Sequence, residues 1–232
     1  TVVIRSRVVR LSVVPAVVRP RVVPAVVRIA VVRIAVRIAA VRIAVVRPAG
    51  GFMSRAALLV THTGRRQSAA HAQQVARDLL AAGFEVRVAT TEVADLELPA
   101  GVTPVTGPDA AEGVEIVIAL GGDGTFLRAA EFARPAKAPM LGINLGHVGF
   151  LAVADAGDLD EAVRDVVEGT YTVHERLTLD VRAEYDGRLI ADSFALNEVS
   201  VEKGQRAQML ELMVDVDGRP LSRYGCDGVV CA

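Results

Sequence analysis

The sequence predicts a parallel-sheet α/β domain followed by an antiparallel β domain, and three observations carry that prediction. Short, continuous apolar runs alternate with helical patterns between residues 56 and 145. After Leu151 the pattern changes to period-2 alternation punctuated by Asp-Gly pairs at 186–187 and 217–218. Before Met53 the composition is not that of a globular body. The expected organisation is therefore an extension over 1–52, an α/β domain over 53–150, and a connecting helix with a partial β domain over 151–232.

Residues 1–52 carry ten Arg and no Asp, Glu or Lys. Within them AVVRIAVVRIAVRIAAVRIAVVR (25–47) uses only Ala, Val, Ile and Arg. Its repeat is too short for a solenoid unit. The arginines at 28, 33, 37 and 42 fall at near-helical spacing, whereas valine and isoleucine favour strand. A basic surface arm is one reading. The abrupt return to ordinary composition at Met53 favours another: a natural start there, with residues 1–52 as upstream read-through outside the fold.

The remainder holds 16 basic residues against 27 acidic ones, a net charge of -11. Nucleic-acid binding draws its sequence-independent strength from neutralised phosphates, so no nucleic-acid partner is expected. Arginines and prolines interrupt every valine run before it reaches membrane-spanning length, and no signal-like segment is present. No membrane partner is expected either. Cys226 and Cys231 form neither a disulfide framework nor a zinc spacing, so reduced thiols in a cytoplasmic protein are the expectation.

Taken in order, AALLV (56–60) reads as a buried strand, and SAAHAQQVARDLLAAG (68–83) as a helix. That helix puts Ala72, Val75, Ala76, Leu79 and Leu80 on one face, with Ser68 as candidate N-cap and Gly83 ending it. FEVRVAT (84–90), VEIVIAL (114–120) and PMLGINL (139–145) read as further strands, with the helix TFLRAAEFAR between the last two. Continuous apolar strands separated by helices argue for a parallel sheet covered by helices. DLDEAVRDVVEG (158–169) reads as one more amphipathic helix, and the two Asp-Gly pairs beyond it mark hairpins.

Chemistry concentrates in four places. GGDGT (121–125) joins a buried strand to a helix, where glycines let the backbone approach a phosphate and the helix start offers unpaired N–H groups. It is neither a Walker A loop nor a dinucleotide fingerprint. A plain turn capped by Asp123 would account for the glycines, but an acid beside phosphate needs another use, such as accepting a hydroxyl proton or holding a metal. GINLGHVGFLA (142–152) repeats the glycine-rich pattern with Asn144 and His147. LNEVSVEKG (196–204) places Asn197 and Glu198 in a strand, pointing to opposite faces. YGCDGVVCA (224–232) sets Asp227 in a Gly-flanked turn that by itself reads as a hairpin.

Together, GGDGT, GINLGHVGFL, LNE and CDGVV, in this order, resemble the NAD kinases over about residues 54–232. GGDGT alone is shared with lipid kinases, and phosphofructokinases carry a related loop; the other segments are more specific. The resemblance implies a Rossmann-like, phosphofructokinase-like domain followed by an antiparallel β-sandwich domain, the latter incomplete because the family continues past CDGVV with a TPTGSTAY-like segment. It implies phosphoryl transfer from ATP, or polyphosphate in some members, to the 2′-hydroxyl of the adenosine ribose of NAD, with Mg²⁺ neutralising the triphosphate.

The same resemblance implies roles. Asp123 is the general base, with Gly121, Gly122, Gly124 and Thr125 around the phosphates and Arg128 reaching one of them. Asn197 and Glu198 contact the adenosine portion, Asp227 binds NAD, and Arg206 is a further phosphate contact. No protein-held metal ligand is expected, and a homodimer or homotetramer is expected at full length. Two alternatives stay open: a GGDGT kinase acting on lipid or sugar, and an inactive fragment.

Overall fold

The computed structural model describes residues 8–14, 32–41, 55–61, 66–94, 96–145, 154–196, 198–202 and 209–231, the first two stretches as backbone alone. In chain order the elements begin with β1 (Val8–Val14), β2 (Val32–Val41), β3 (Ala56–Thr61), α1 (Arg66–Ala81) and β4 (Glu85–Ala89). Then come α2 (Thr90–Val93), β5 (Val102–Val105), β6 (Ile116–Leu120), α3 (Asp123–Ala136) and β7 (Met140–Asn144). β8 (Ala154–Asp155), α4 (Leu159–Glu168), β9 (Arg176–Tyr185) and β10 (Arg188–Ala195) follow. The last strands are β11 (Val199–Glu202), β12 (Leu210–Val216), β13 (Arg219–Cys226) and β14 (Gly228–Cys231). The chain divides into two compact units, Val41–Arg176 and Thr1–Ala40 with Leu177–Ala232.

The first unit is built on a six-stranded parallel sheet of order β5-β4-β3-β6-β7-β8. Every residue of β3 and β6 is buried, as expected of central strands with layers packed on both faces. Ala72, Val75, Ala76 and Leu79 of α1 pack into the same core as Leu59, Ile116, Ile118 and Leu120. Leu159, Val163 and Val166 of α4 join that core too. The helix expected to connect the domains thus belongs to the α/β unit. From β3 the chain builds β4 and β5 outward on one side, then returns to lay β6, β7 and β8 on the other. The strand order reverses between β3 and β6, and open α/β sheets bind ligands at the carboxyl ends of the strands flanking such a reversal.

Three helices of this unit end alike. Gly83 (φ +82°) and Gly169 (φ +67°) follow α1 and α4 in the left-handed conformation. The N–H of Phe84 donates to Leu79 O, and that of Thr170 to Asp165 O, each at 3.0 Å. Lys137 (φ +54°) takes the corresponding place after α3, with the Ala138 N–H on Ala133 O at 3.0 Å. Ser68 does not cap α1: the helix starts at Arg66 and Ser68 is buried in its first turn.

The second unit holds a six-stranded sheet of order β10-β9-β2-β1-β12-β13 and a two-stranded sheet of β11 and β14. The pairs β1–β2, β1–β12, β9–β10, β12–β13 and β11–β14 are antiparallel. Both Asp-Gly pairs close hairpins with positive φ at each residue: Asp186 (+50°) and Gly187 (+76°), Asp217 (+50°) and Gly218 (+79°). That is the turn whose twist matches paired strands. Leu212 and Val214 centre a small core with Leu179, Val181 and Val201. Residues 1–52 were expected outside the fold; in the structure β1 and β2, both from that segment, pair within this sheet.

Candidate active site

β6 delivers the chain to the sheet's carboxyl edge as an unbroken run of buried residues, and pairing continues one residue further. Gly121 is buried, and its N–H donates to Ile143 O at 3.0 Å. Gly122 caps α3: its carbonyl accepts the N–H groups of Thr125 (2.9 Å) and Phe126 (3.1 Å). Asp123 is therefore not the cap but the first residue of the helix, half-buried, with its backbone already helical. A carboxylate there is favoured by the helix dipole.

Among the described residues, packing does not explain Gly122 or Gly124. Gly122 lies in extended conformation (φ -92°), and a Cβ built on Gly122 or Gly124 meets no described atom within 4 Å. Neither backbone strain nor a neighbour demands glycine at these positions. What glycine supplies is clear space over a helix start at the carboxyl end of β6, which is what an approaching phosphate needs. Thr125 is buried in the first turn, and Asn144 is buried at the end of β7.

Arg128 follows on α3 and is half-buried. Both of its hydrogen bonds to described residues leave from Nη2, one to Oε1 of Glu92 at 2.5 Å and one to the carbonyl of Thr61. Its Nε is buried without a partner among the described residues. Glu92, on the short α2 directly after β4, is only 2% exposed, and its Oε2 accepts the Thr61 N–H at 2.8 Å. Burial pushes the Glu92 carboxyl above the ordinary carboxylate range, while the Thr61 N–H and the Arg128 charge pull it back down. The sequence reading did not select Glu92. Its signal was an acid in ATTEV, just past a strand on the sheet edge that also carries GGDGT.

Comparison with known proteins decides the lineage. Residues 57–171 match the family model described as the ATP-NAD kinase N-terminal domain. The NAD kinase of Thermobifida fusca is 50% identical over 193 residues, 79% of this chain and 59% of that protein. The chain belongs to the NAD kinase family. NAD kinase 2 of Streptomyces avermitilis is 47% identical over 181 residues, covering 77% of this chain and 60% of the relative. The chain thus spans about 60% of the length of these curated NAD kinases. Among solved structures, yeast NADH kinase complexed with NADH superposes with a TM-score of 0.67 at 19% identity, over 82% of this chain and 62% of the other, a likeness of fold.

The NAD kinase motifs of the second unit lie as follows. Asn197 and Arg206 fall outside the described residues, as do Gly146, His147 and Gly149 of the first unit. Glu198 is exposed and precedes β11 rather than sitting inside a strand. Asp227 is exposed between β13 and β14. Those strands pair with β12 and β11 respectively, so Asp227 marks a passage from one sheet to another and not a hairpin. Gly228 after it is required by packing: a Cβ there would sit 2.9 Å from the Val201 carbonyl oxygen. Among the described residues no helix is long and apolar enough to cross a membrane.

Proposed function

We propose that the chain carries the chemistry of NAD phosphorylation, transferring a phosphoryl group from ATP or polyphosphate to the 2′-hydroxyl of the adenosine ribose and yielding NADP. One observation carries the reading: Asp123 opens α3 at the carboxyl end of β6, beside the strand-order reversal, in a loop whose glycines leave open space. In this reading the Asp123 carboxylate takes the hydroxyl proton as the oxygen attacks phosphorus. The Gly124 N–H and Arg128 hold phosphate oxygens. Most of the rate then comes from positioning and charge stabilisation.

Asn197, Glu198, Arg206 and Asp227 are the proposed nucleotide contacts of the second unit. Among the described residues no group of three or more His, Cys, Asp or Glu side chains converges as a metal site. Magnesium in this reading enters with ATP as part of the substrate complex. A cytoplasmic setting, with Cys226 and Cys231 as thiols, and assembly into homodimers or homotetramers complete the proposal.

An acceptor panel tests it. NADP formed from NAD and ATP, with diacylglycerol and fructose 6-phosphate left untouched, is the expected result. Phosphorylation of either alternative acceptor in place of NAD overturns the reading. So does a chain that turns over nothing and whose thermal transition ignores NAD.

A further inference from the structure

Glu92 is the one nearly inaccessible carboxylate among the described residues, and it sits at the carboxyl edge of the parallel sheet. Three segments distant in sequence converge there: the end of β3 through Thr61, α2 through Glu92, and α3 through Arg128. Burying a carboxylate beside a phosphate-binding loop is doubly unfavourable, by desolvation and by repulsion of the ligand, unless its charge is committed elsewhere. Here it is committed to one guanidinium nitrogen. The pairing fixes Nη2 against the strand ends, while the Arg128 side chain stays 40% exposed. A long side chain that would otherwise sample many rotamers is held before the ligand arrives, which removes part of the entropic cost of binding.

We propose that Glu92 is a positioning residue for nucleotide binding: it holds the Arg128 guanidinium in place at the carboxyl edge of the sheet, so that the remaining donors meet phosphate. This rests on the nucleotide-kinase reading of the same loop. A structural role alone would tie α2 to β3 through the Thr61 N–H and would not need the arginine. Glu92→Gln keeps the shape and the acceptor for Thr61 while removing the charge that holds Arg128.

The test is calorimetric titration of the chain with NAD, for wild type, Glu92→Gln, Arg128→Ala and the double variant, with melting temperatures measured alongside. Expected are about tenfold weaker NAD binding for Glu92→Gln, a similar loss for Arg128→Ala, and no further loss when the two are combined. Wild-type affinity in Glu92→Gln overturns the proposal, as does a loss that adds in full to that of Arg128→Ala. If Glu92→Gln does not fold, Glu92→Asp takes its place: its shorter reach must weaken NAD binding through Arg128 in the same non-additive way, and unchanged affinity overturns the proposal. Failure of the underlying reading is distinguishable. Wild type that binds no NAD overturns both, whereas wild type that binds NAD without forming NADP overturns only the transfer reaction.

Discussion

Arg55 and Glu115 meet in a two-pronged ion pair at the amino edge of the parallel sheet, Nε to Oε2 at 2.7 Å and Nη2 to Oε1 at 2.6 Å. The same guanidinium donates to the carbonyls of Val166 (2.7 Å) and Val167 (2.6 Å) in the last turn of α4 and lies 4.1 Å from the centre of the Phe84 ring. Four anchors from three parts of the chain thus share one planar fork, and a cation at a helix C-terminus also complements the dipole. A lysine cannot reproduce that geometry. Arg55→Lys is expected to cost about 2 kcal/mol in urea unfolding, discounted for partial exposure, without altering nucleotide affinity. Unchanged stability would show that the fork is not what ties α4 to the sheet.

Tyr171 donates to Oε1 of the same Glu115 at 3.3 Å. Burial first, and then the Glu115 charge, push its phenol up to about 12 from an ordinary 10.0. Because the folded value is the higher one, the associated stability is fully present below pH 10 and is lost as pH rises through about 12. Absorbance titration near the phenolate band, compared between wild type and Tyr171→Phe, should assign to Tyr171 a step near pH 12. A Tyr171 step near pH 10 would contradict the burial.

Lys137 holds a left-handed conformation that Gly83 and Gly169 adopt without strain at the equivalent ends of α1 and α4. An L-residue in that region costs roughly 1 kcal/mol, partly offset by glycine's greater freedom in the unfolded chain. Lys137→Gly should therefore stabilise the protein by about 0.5 kcal/mol, read as a higher urea midpoint. Lys137→Val, β-branched at positive φ, should lower that midpoint.

Removing Arg128 leaves Glu92 buried without its counter-charge. Arg128→Ala should destabilise the fold by about 3 kcal/mol near neutral pH, and adding Glu92→Gln should recover most of it. The raised Glu92 carboxyl sets the sign of the pH dependence. The stabilisation linked to its proton is present below the unfolded value of about 4.5 and is lost as pH rises through the higher folded value, so the Arg128→Ala penalty should shrink on acidification. Unfolding curves across that range decide it, and a penalty independent of pH would place the cost elsewhere.

What could be read from the chain alone follows how local each cause is. β3, β6 and β7 were legible because strands buried on both faces are continuous apolar runs. The hairpins at Asp186 and Asp217 were legible because their turns are written in two adjacent residues. β5 escaped: it is a sheet edge containing Pro104, half-exposed, and lacks the apolar signature of its neighbours. Ser68 looks like a cap in sequence, yet nothing local shows that the helix begins two residues earlier. The strand partners around Asp227 depend on contacts far along the chain, which is why a sheet-to-sheet passage reads as a hairpin. Glu92 and Arg128 stand 36 residues apart and become a pair only once β4 has paired beside β3. Asp123 was legible as an acid among glycines, whereas its place as first residue of α3, behind a glycine cap, was not.

In the proposed reaction Asp123 moves a proton and does not merely shape a turn. Asp123→Asn keeps the size and the helix start and removes the base. NADP formation and NAD affinity measured on the same preparation test it directly. The expected result is a turnover loss of roughly 10³-fold with NAD affinity changed by no more than a few-fold. Turnover preserved in Asp123→Asn, or lost only in step with NAD binding, would contradict it.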